Sequence, residues 1–309
     1  LLLAVYIGGL AQPVKAQTKD NLKGEISLSG AFALYPMVVK WAEEFKKIHP
    51  NVRIDISGGG AGKGMTDALA KVVDLGMVSR DVHDVEFKKG AVAFAVVKDA
   101  VVPTVNAANP LIRDIKAKGL KRNVALSLWS GKCKTWGNVL GTTSKVPVHV
   151  YTRSDACGAA ETWAAWFGKR QEDLEGTAVF GDPGVASAVQ KDKVGIGFNN
   201  IAYAYDQKTR RPYAGLAIIP LDVNGNGKID PEENFYDNSL SLIKAIVSGK
   251  YPSPPARNLF LVSNGVPKKP EVIEFIKYIL TEGQKYANAT GYIGLSKTTI
   301  NQELAKLKK

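Results

Sequence analysis

Apolar and polar positions alternate along this chain with two different periods. Short strand-like runs, Glu25-Ile-Ser-Leu28, Val52-Arg-Ile-Asp-Ile-Ser57 and Leu75-Gly-Met-Val78, are separated by longer stretches near 34–48 and 63–71 whose apolar residues recur at helical spacing. In the first long stretch Val38, Trp41, Ala42, Phe45 and Ile48 fall three and four residues apart with Lys and Glu opposite, which predicts a helix facing a core. Strands and helices in turn predict an α/β fold with a mixed or parallel sheet. A second series follows Val101-Val-Pro-Thr-Val105: helical turns over 111–129, a strand at Val148-His-Val-Tyr151, a helix over 158–167 and a strand at Val194-Gly-Ile-Gly-Phe198. It predicts a second α/β lobe. A late strand at Asn258-Leu-Phe-Leu-Val262 and helices over 269–280 and 283–289 have no sheet partner close in sequence, so they are expected to return to the first lobe. The expected organisation is one lobe over 22–102 plus 260–309 and another over 103–259, with the Pro-rich Tyr251-Pro-Ser-Pro-Pro255 before the second crossing.

Composition changes this picture in three respects. The 309 residues are 45% hydrophobic, enough for two separate cores. The formal charge of +12 is scattered rather than gathered in runs, which weighs against a nucleic-acid surface and favours attraction of small anions. Residues 1–12 (LLLAVYIGGLAQ) are apolar and lead into Pro13-Val14-Lys15-Ala16, so 1–16 is expected to be a truncated secretory signal and the mature chain periplasmic or extracellular; a short buried helix or an interfacial anchor is the alternative. In an exported chain the two cysteines, Cys133 and Cys157, predict a disulfide, with two free thiols as the alternative. His49, His83 and His149 stand far apart, which predicts neither a zinc site nor a nucleophile with its base, and hence no enzyme.

Three glycine-rich or small-residue turns carry the chemistry. Ser57-Gly-Gly-Gly-Ala-Gly-Lys-Gly64, Ser29-Gly-Ala-Phe-Ala-Leu-Tyr-Pro36 and Arg153-Ser-Asp-Ala-Cys-Gly-Ala-Ala160 each lie between a strand and a helix start, where backbone N–H groups can hold a small anion. The first is not a nucleotide-binding P-loop, because Ser stands at 57 and Gly at 64. Three such turns favour one shared site at the strand ends.

With Asp74-Leu-Gly-Met-Val-Ser-Arg80, Trp129-Ser-Gly-Lys-Cys-Lys-Thr-Trp136 and the Val194 strand, these segments resemble the periplasmic phosphate-binding proteins of phosphate ABC transporters over roughly 24–295. The resemblance implies a two-lobed type II periplasmic-binding fold hinged by two chain crossings. It also implies an oxyanion, phosphate first, held between the lobes, and a membrane ABC permease as partner of a monomer. The implied ligand-binding positions are Ala31, Phe32 and Ala33; Ala61 and Gly62; Ser79 and Arg80; and Arg153, Asp155, Cys157, Gly158 and Ala159. Family members commonly place Ser or Thr hydroxyls in these turns, and here Ala and Cys replace most of them. Arg153 matches the family's ligand-binding arginine. Arg80 stands where some members carry an Asp that accepts the phosphate proton, and either arginine could instead form a surface or interlobe ion pair. Arg80, Lys63 or backbone groups would have to replace the lost hydroxyls, while Asp155 could accept a phosphate proton; sulfate, molybdate or tungstate would need donors only. A surface or adhesion protein that kept the fold without transport is the alternative from another class. A Cys133–Cys157 disulfide would brace the third turn.

A separate motif lies at Asp222-Val-Asn-Gly-Asn-Gly-Lys-Ile-Asp-Pro-Glu-Glu233. Asp222, Asn224, Asn226, the Lys228 carbonyl, Asp230 and Glu233 occupy the ligating places of a twelve-residue calcium loop, with Gly227 at its sharp turn. A strand-like Leu216-Ala-Ile-Ile-Pro220 precedes it and a helix over 235–247 is expected after it, so a structural calcium ion is predicted rather than a paired sensor; a turn without metal is the alternative.

Overall fold

In the computed structural model, which describes residues 21–308, the chain starts with β1 (Gly24–Gly30), α1 (Tyr35–Ile48), β2 (Val52–Gly58), α2 (Gly60–Leu69), β3 (Leu75–Val78) and α3 (Asp84–Lys88). The expected signal segment lies outside the described residues. β4 (Ala91–Asn106) then leads into α4 (Ile112–Lys118), β5 (Leu120–Lys121), α5 (Arg122–Trp129), α6 (Trp136–Leu140), β6 (His149–Arg153), α7 (Gly158–Trp166), β7 (Thr177–Val179) and α8 (Gly181–Lys191). β8 (Gly195–Asn200), α9 (Ile201–Ala204), β9 (Leu216–Ile218), β10 (Leu221–Asp222) and α10 (Ser239–Val247) follow, and β11 (Ala256–Asn264), α11 (Pro270–Leu280) and α12 (Lys297–Ala305) end the chain.

Local chemistry accounts for these elements. α1 opens on a proline in its first turn and closes on Lys46 and Lys47, whose positive charges suit the helix C-terminus, and it buries Met37, Val38, Trp41 and Phe45. Gly59 and Gly60 sit at φ of 156° and 85°, which lets α2 begin directly after β2, three residues before the expected start at 63. The expected helix over 283–289 is a pair of 3₁₀ turns, and the one expected from 235 starts at Ser239, where the Asn238 side chain caps it.

The strands form one sheet in the order β2-β1-β3-β11-β4-β8-β6-β7, with β9 also on β4 and a small β5–β10 pair apart. β1, β2 and β3 are mutually parallel, as are β6, β7 and β8, while β4 and β11 run antiparallel to their neighbours between the two sets. β4 is a 16-residue strand of which the sequence pattern revealed only the last third. Its first part pairs with β11 and its last part with β8 and β9, so it passes from one lobe into the other.

Two cores result. One gathers Ile26, Trp41, Phe45, Phe94, Val97, Leu259 and Phe275; the other is built on Trp129, Trp163 and Phe198, whose rings lie 5.2–5.9 Å apart, with Val101 and Val105 from β4. The changeover falls between Val97 and Ala100 in β4 and between Ala256 and Leu259 in β11, earlier in each strand than the expected boundaries. Among the described residues no helix is long and apolar enough to cross a membrane.

Candidate functional site

The carboxyl ends of β1, β2 and β3 face those of β6 and β8 across a gap closed by backbone. The Gly62 N–H donates to the Ala156 carbonyl at 3.1 Å, and Gly158 lies so close that a Cβ there would sit 2.1 Å from the Ser79 carbonyl oxygen. Arg80, at the end of β3, reaches Glu161 on α7 at 3.2 Å. The lobes are therefore closed on one another.

Between them lies a narrow recess lined by Ala31, Phe32, Ala33, Gly60, Ala61 and Ser79 from one side and Arg153, Cys157, Ala159, Asp182 and Asn200 from the other. In this closed form the facing residues leave no space large enough for a water molecule there. A larger open groove runs past Arg80, Tyr251 and Ser296. The small cavity is nevertheless the place where the helix starts converge, as expected for open α/β sheets.

Donors are supplied chiefly by the main chain. The N–H groups of Phe32 and Ala33 in the turn before α1, and of Gly60 and Ala61 and Gly158 and Ala159 at the starts of α2 and α7, donate to no acceptor among the described residues, as helix geometry requires of the leading amides of α2 and α7. Four of these amides open α2 and α7 and have those two helix dipoles behind them. Phe32, whose side the sequence left open, faces the cavity. Its ring lies 5.9 Å from the Arg153 guanidinium and edge-on to Phe180 at 5.7 Å, and Gly58 makes room for it.

Arg153 is the central side chain. Its Nε and Nη2 donate to the two Asp155 carboxylate oxygens at 2.8 and 2.6 Å, and Nη1 donates to Asp182 Oδ2 at 2.6 Å. Burial opposes its charge, but Asp182 and Asp155 outweigh that and raise its pKa further above the usual arginine value. Three of its five N–H groups are thus engaged. Asp155 also accepts the Gly181 N–H, Asp182 accepts the Asn200 N–H, and Gln171 clamps the turn through the Asp155 carbonyl and the Cys157 N–H. The half of the site borne by β6 and β8 is therefore wired without help from a ligand.

Several expected positions differ. Arg80 does not face the cavity: both Nη atoms bond Glu86 at 2.8 and 2.6 Å and Nε pairs with Glu161, the interlobe ion pair held open as its alternative. Two carboxylates within reach outcompete an empty cavity for its fork. Lys63 is held by Asp67 one helical turn on, so neither residue replaces the missing hydroxyls. Gly62, which spends its N–H on Ala156, does not line the cavity, and neither do Asp155, turned to Arg153, and Gly158, packed against Ser79. Ala31, Phe32, Ala33, Ala61, Ser79, Arg153, Cys157 and Ala159 do line it.

The disulfide is also corrected, because Cys133 and Cys157 are both buried free thiols. Cys157 is the N-cap of α7, its Sγ accepting the Ala160 N–H at 3.4 Å, while Cys133 lines a different recess beside Val148 and Gly131. Burial pushes the Cys157 thiol up to about 12, so it is neutral and unreactive at physiological pH.

Asp182 and Asn200 were not expected from the sequence. Asp182 lies on α8, an element without a strong apolar stripe, but Asn200 follows the recognised strand at 194–198 and stands at a strand end, which is the signal that could have found it.

The loop over 222–233 folds on itself. Asp222, 2% exposed, accepts the Gly225 and Gly227 N–H groups at 2.7 Å each, and Glu233, 8% exposed, accepts those of Val223 and Asn224. Asp230 is held down at about 2 by Lys228, Asn224 and Asn226. Among the described residues no three His, Cys, Asp or Glu side chains converge as a metal cluster, so the carboxylates of this loop are engaged with its own N–H groups and Lys228.

Comparison with known proteins places the chain. The phosphate-binding protein PstS of Methanocaldococcus jannaschii is 28% identical over 93% of this chain and 86% of its own length, and that of Staphylococcus aureus strain USA300 is 24% identical over 94% and 84%. The crystal structure, with bound phosphate, of a candidate phosphate ABC transporter substrate-binding protein from Clostridium perfringens superposes with a TM-score of 0.72 at 22% identity, covering 88% of this chain and all of that one. That likeness establishes the two-lobed fold. The model of the PBP superfamily domain matches residues 15–282, and on that match this chain, a binding protein rather than an enzyme, belongs to the periplasmic-binding-protein (PBP) superfamily.

Proposed function

We propose that this protein captures an inorganic oxyanion, phosphate first, in the closed cavity and presents it to a membrane ABC permease from an extracytoplasmic compartment. The observation that carries the reading is that Phe32, Ala33, Gly60, Ala61 and Ala159, whose main-chain N–H groups have no partner among the described residues, line one recess together with Arg153. The missing hydroxyls do not empty the site of donors, because main-chain N–H groups at helix starts serve an anion directly. Carboxylates favour phosphate over sulfate: Asp182 lines the cavity, and a carboxylate can accept the proton that hydrogen phosphate carries and sulfate lacks.

The deciding experiment is calorimetric titration of protein unfolded and refolded to strip ligand, against phosphate, sulfate, molybdate and tungstate. Tight binding of phosphate alone is expected. Preference for another oxyanion would change the substrate, and silence across the panel would move the reading to a surface protein that kept the fold without transport.

The loop over 222–233 is proposed as a structural calcium site. Its support is the ligand spacing, with buried carboxylates at the first and last positions that now satisfy loop amides. Calcium would replace those bonds and Lys228 at Asp230. Calcium should raise the melting temperature, and Glu233→Gln should abolish the rise; an equal rise in the variant would remove the loop as its source.

A further inference from the structure

Two consecutive asparagines end β8, and their surroundings differ. Asn199 is spent on structure, its Oδ1 accepting from Thr104 Oγ1 at 2.9 Å and its Nδ2 donating to the Asp182 carbonyl at 2.9 Å. Asn200 lines the cavity and is fully buried, yet its Nδ2 has no hydrogen-bond partner. A buried amide donor left unpaired costs about 1–3 kcal/mol. Such a group calls for an explanation, and where it borders a candidate ligand recess a ligand supplies one.

The orientation of that amide is fixed by its neighbour. Arg257 Nη2 donates to Asn200 Oδ1. Because a guanidinium has donors only, the oxygen of the Asn200 amide must face it, which turns the Nδ2 donor pair the other way. Arg257 is itself immobilised: Nη1 donates to the Gly158 carbonyl at 2.6 Å, and Asp99, its directly paired residue across β11 and β4, lies 3.7 Å from Nη2. Arg257, held on the hinge strand β11, thus fixes the amide of Asn200, a residue that lines the recess.

We propose that Asn200 is an oxyanion-binding residue and that Arg257 is the positioning residue that aims its Nδ2 at the ligand. The inference rests on the oxyanion reading above and deepens it. Asn200 supplies from the lobe of β6 and β8 the kind of side-chain donor that Ala61 and Ala159 do not. Arg257 touches no ligand; it acts through Asn200 and the start of α7.

The test is titration of the full, ligand-stripped chain with inorganic phosphate, followed by the other oxyanions, in wild type, Asn200→Ala, Asn200→Asp, Arg257→Gln and the Asn200→Ala/Arg257→Gln double variant. Wild type is expected to bind. Asn200→Ala should weaken binding about 10- to 100-fold, as for one hydrogen bond to a charged ligand, and Arg257→Gln should do the same. The double variant should lose no more than the weaker single, a coupling that two unrelated structural defects would not give. Should Asn200→Ala fail to melt cooperatively, Asn200→Asp, which keeps the shape and the Arg257 contact, decides in its place. Wild-type binding with the deciding variant within threefold overturns this inference alone, and additive losses overturn the positioning by Arg257. Wild-type silence toward every oxyanion overturns the functional reading and this inference with it.

Discussion

The two halves of the cavity are built on the same plan and furnished differently. Each offers the ends of parallel strands, β1, β2 and β3 on one side and β6, β7 and β8 on the other, with helices starting just beyond. The first half contributes Ala31, Ala33, Ala61 and the Phe32 ring, so apart from Ser79 its polar offering is main-chain N–H. The second carries Arg153, Asp155, Asp182 and Asn200, joined by hydrogen bonds that exist without ligand. Charge and orientation are therefore preorganised in one lobe, while the other closes over them. If the proposed anion binds here, the difference teaches that main-chain donors on one face suffice, provided the opposite face is rigid.

The comparison is broken most severely at Arg153. Arg153→Met leaves Asp155 and Asp182 buried, 9% and 1% exposed, without their common cation. Removing one partner of such a network costs about 3–5 kcal/mol, so we expect a large fall in the denaturant midpoint and no measurable phosphate binding. Binding within tenfold of wild type would show that the charged half does not set affinity.

A smaller effect is expected from preventing closure. Gly158→Ala puts a methyl 2.1 Å from the Ser79 carbonyl oxygen and 2.4 Å from its carbon, across the lobe boundary. Overpacking costs about 1–3 kcal/mol, and here opening the lobes relieves it. Affinity should drop roughly 10- to 100-fold while the ligand-free melting temperature changes little, and small-angle scattering should show a phosphate-loaded form more extended than wild type. An unchanged affinity would mean that the first half adds nothing on closing.

The smallest and most discriminating change restores a hydroxyl to the apolar half. Ala61→Ser adds one donor beside the first turn of α2, and if it reaches the anion, affinity should rise up to about tenfold, a modest share of a charged hydrogen bond. No change, with the fold intact, would assign the first half to enclosure alone.

The alternation of strand and helix was readable because most elements bury one face and keep their period, as α1 does with Met37, Val38, Trp41 and Phe45. β4 was read only in part: it is buried on both faces at most positions, serves two cores, and carries Lys98 and Asp99 mid-strand, so no single period runs through it. The three turns were readable as small-residue stretches leading into helix starts at one place in the fold, but the side-chain network around them was not. Asp182 meets Arg153 from 29 residues away, and Glu161 draws Arg80 aside from 81 positions on, pairings that no local pattern encodes. The cysteine pair misled for a similar reason, since counting thiols says nothing of Cys157 turning inward to cap α7.

The path of β4 and β11 bears on how the molecule comes into being. The sheet of the first lobe is incomplete until β11 slots between β3 and β4, and β11 begins at Ala256, after the whole second lobe. During vectorial synthesis the amino-terminal lobe must therefore wait, with one edge of β3 unpaired, while the later lobe is made. Unlike domains strung in series, which mature one by one from the amino terminus, these lobes finish together, and neither half of the gene would encode a separable folding unit.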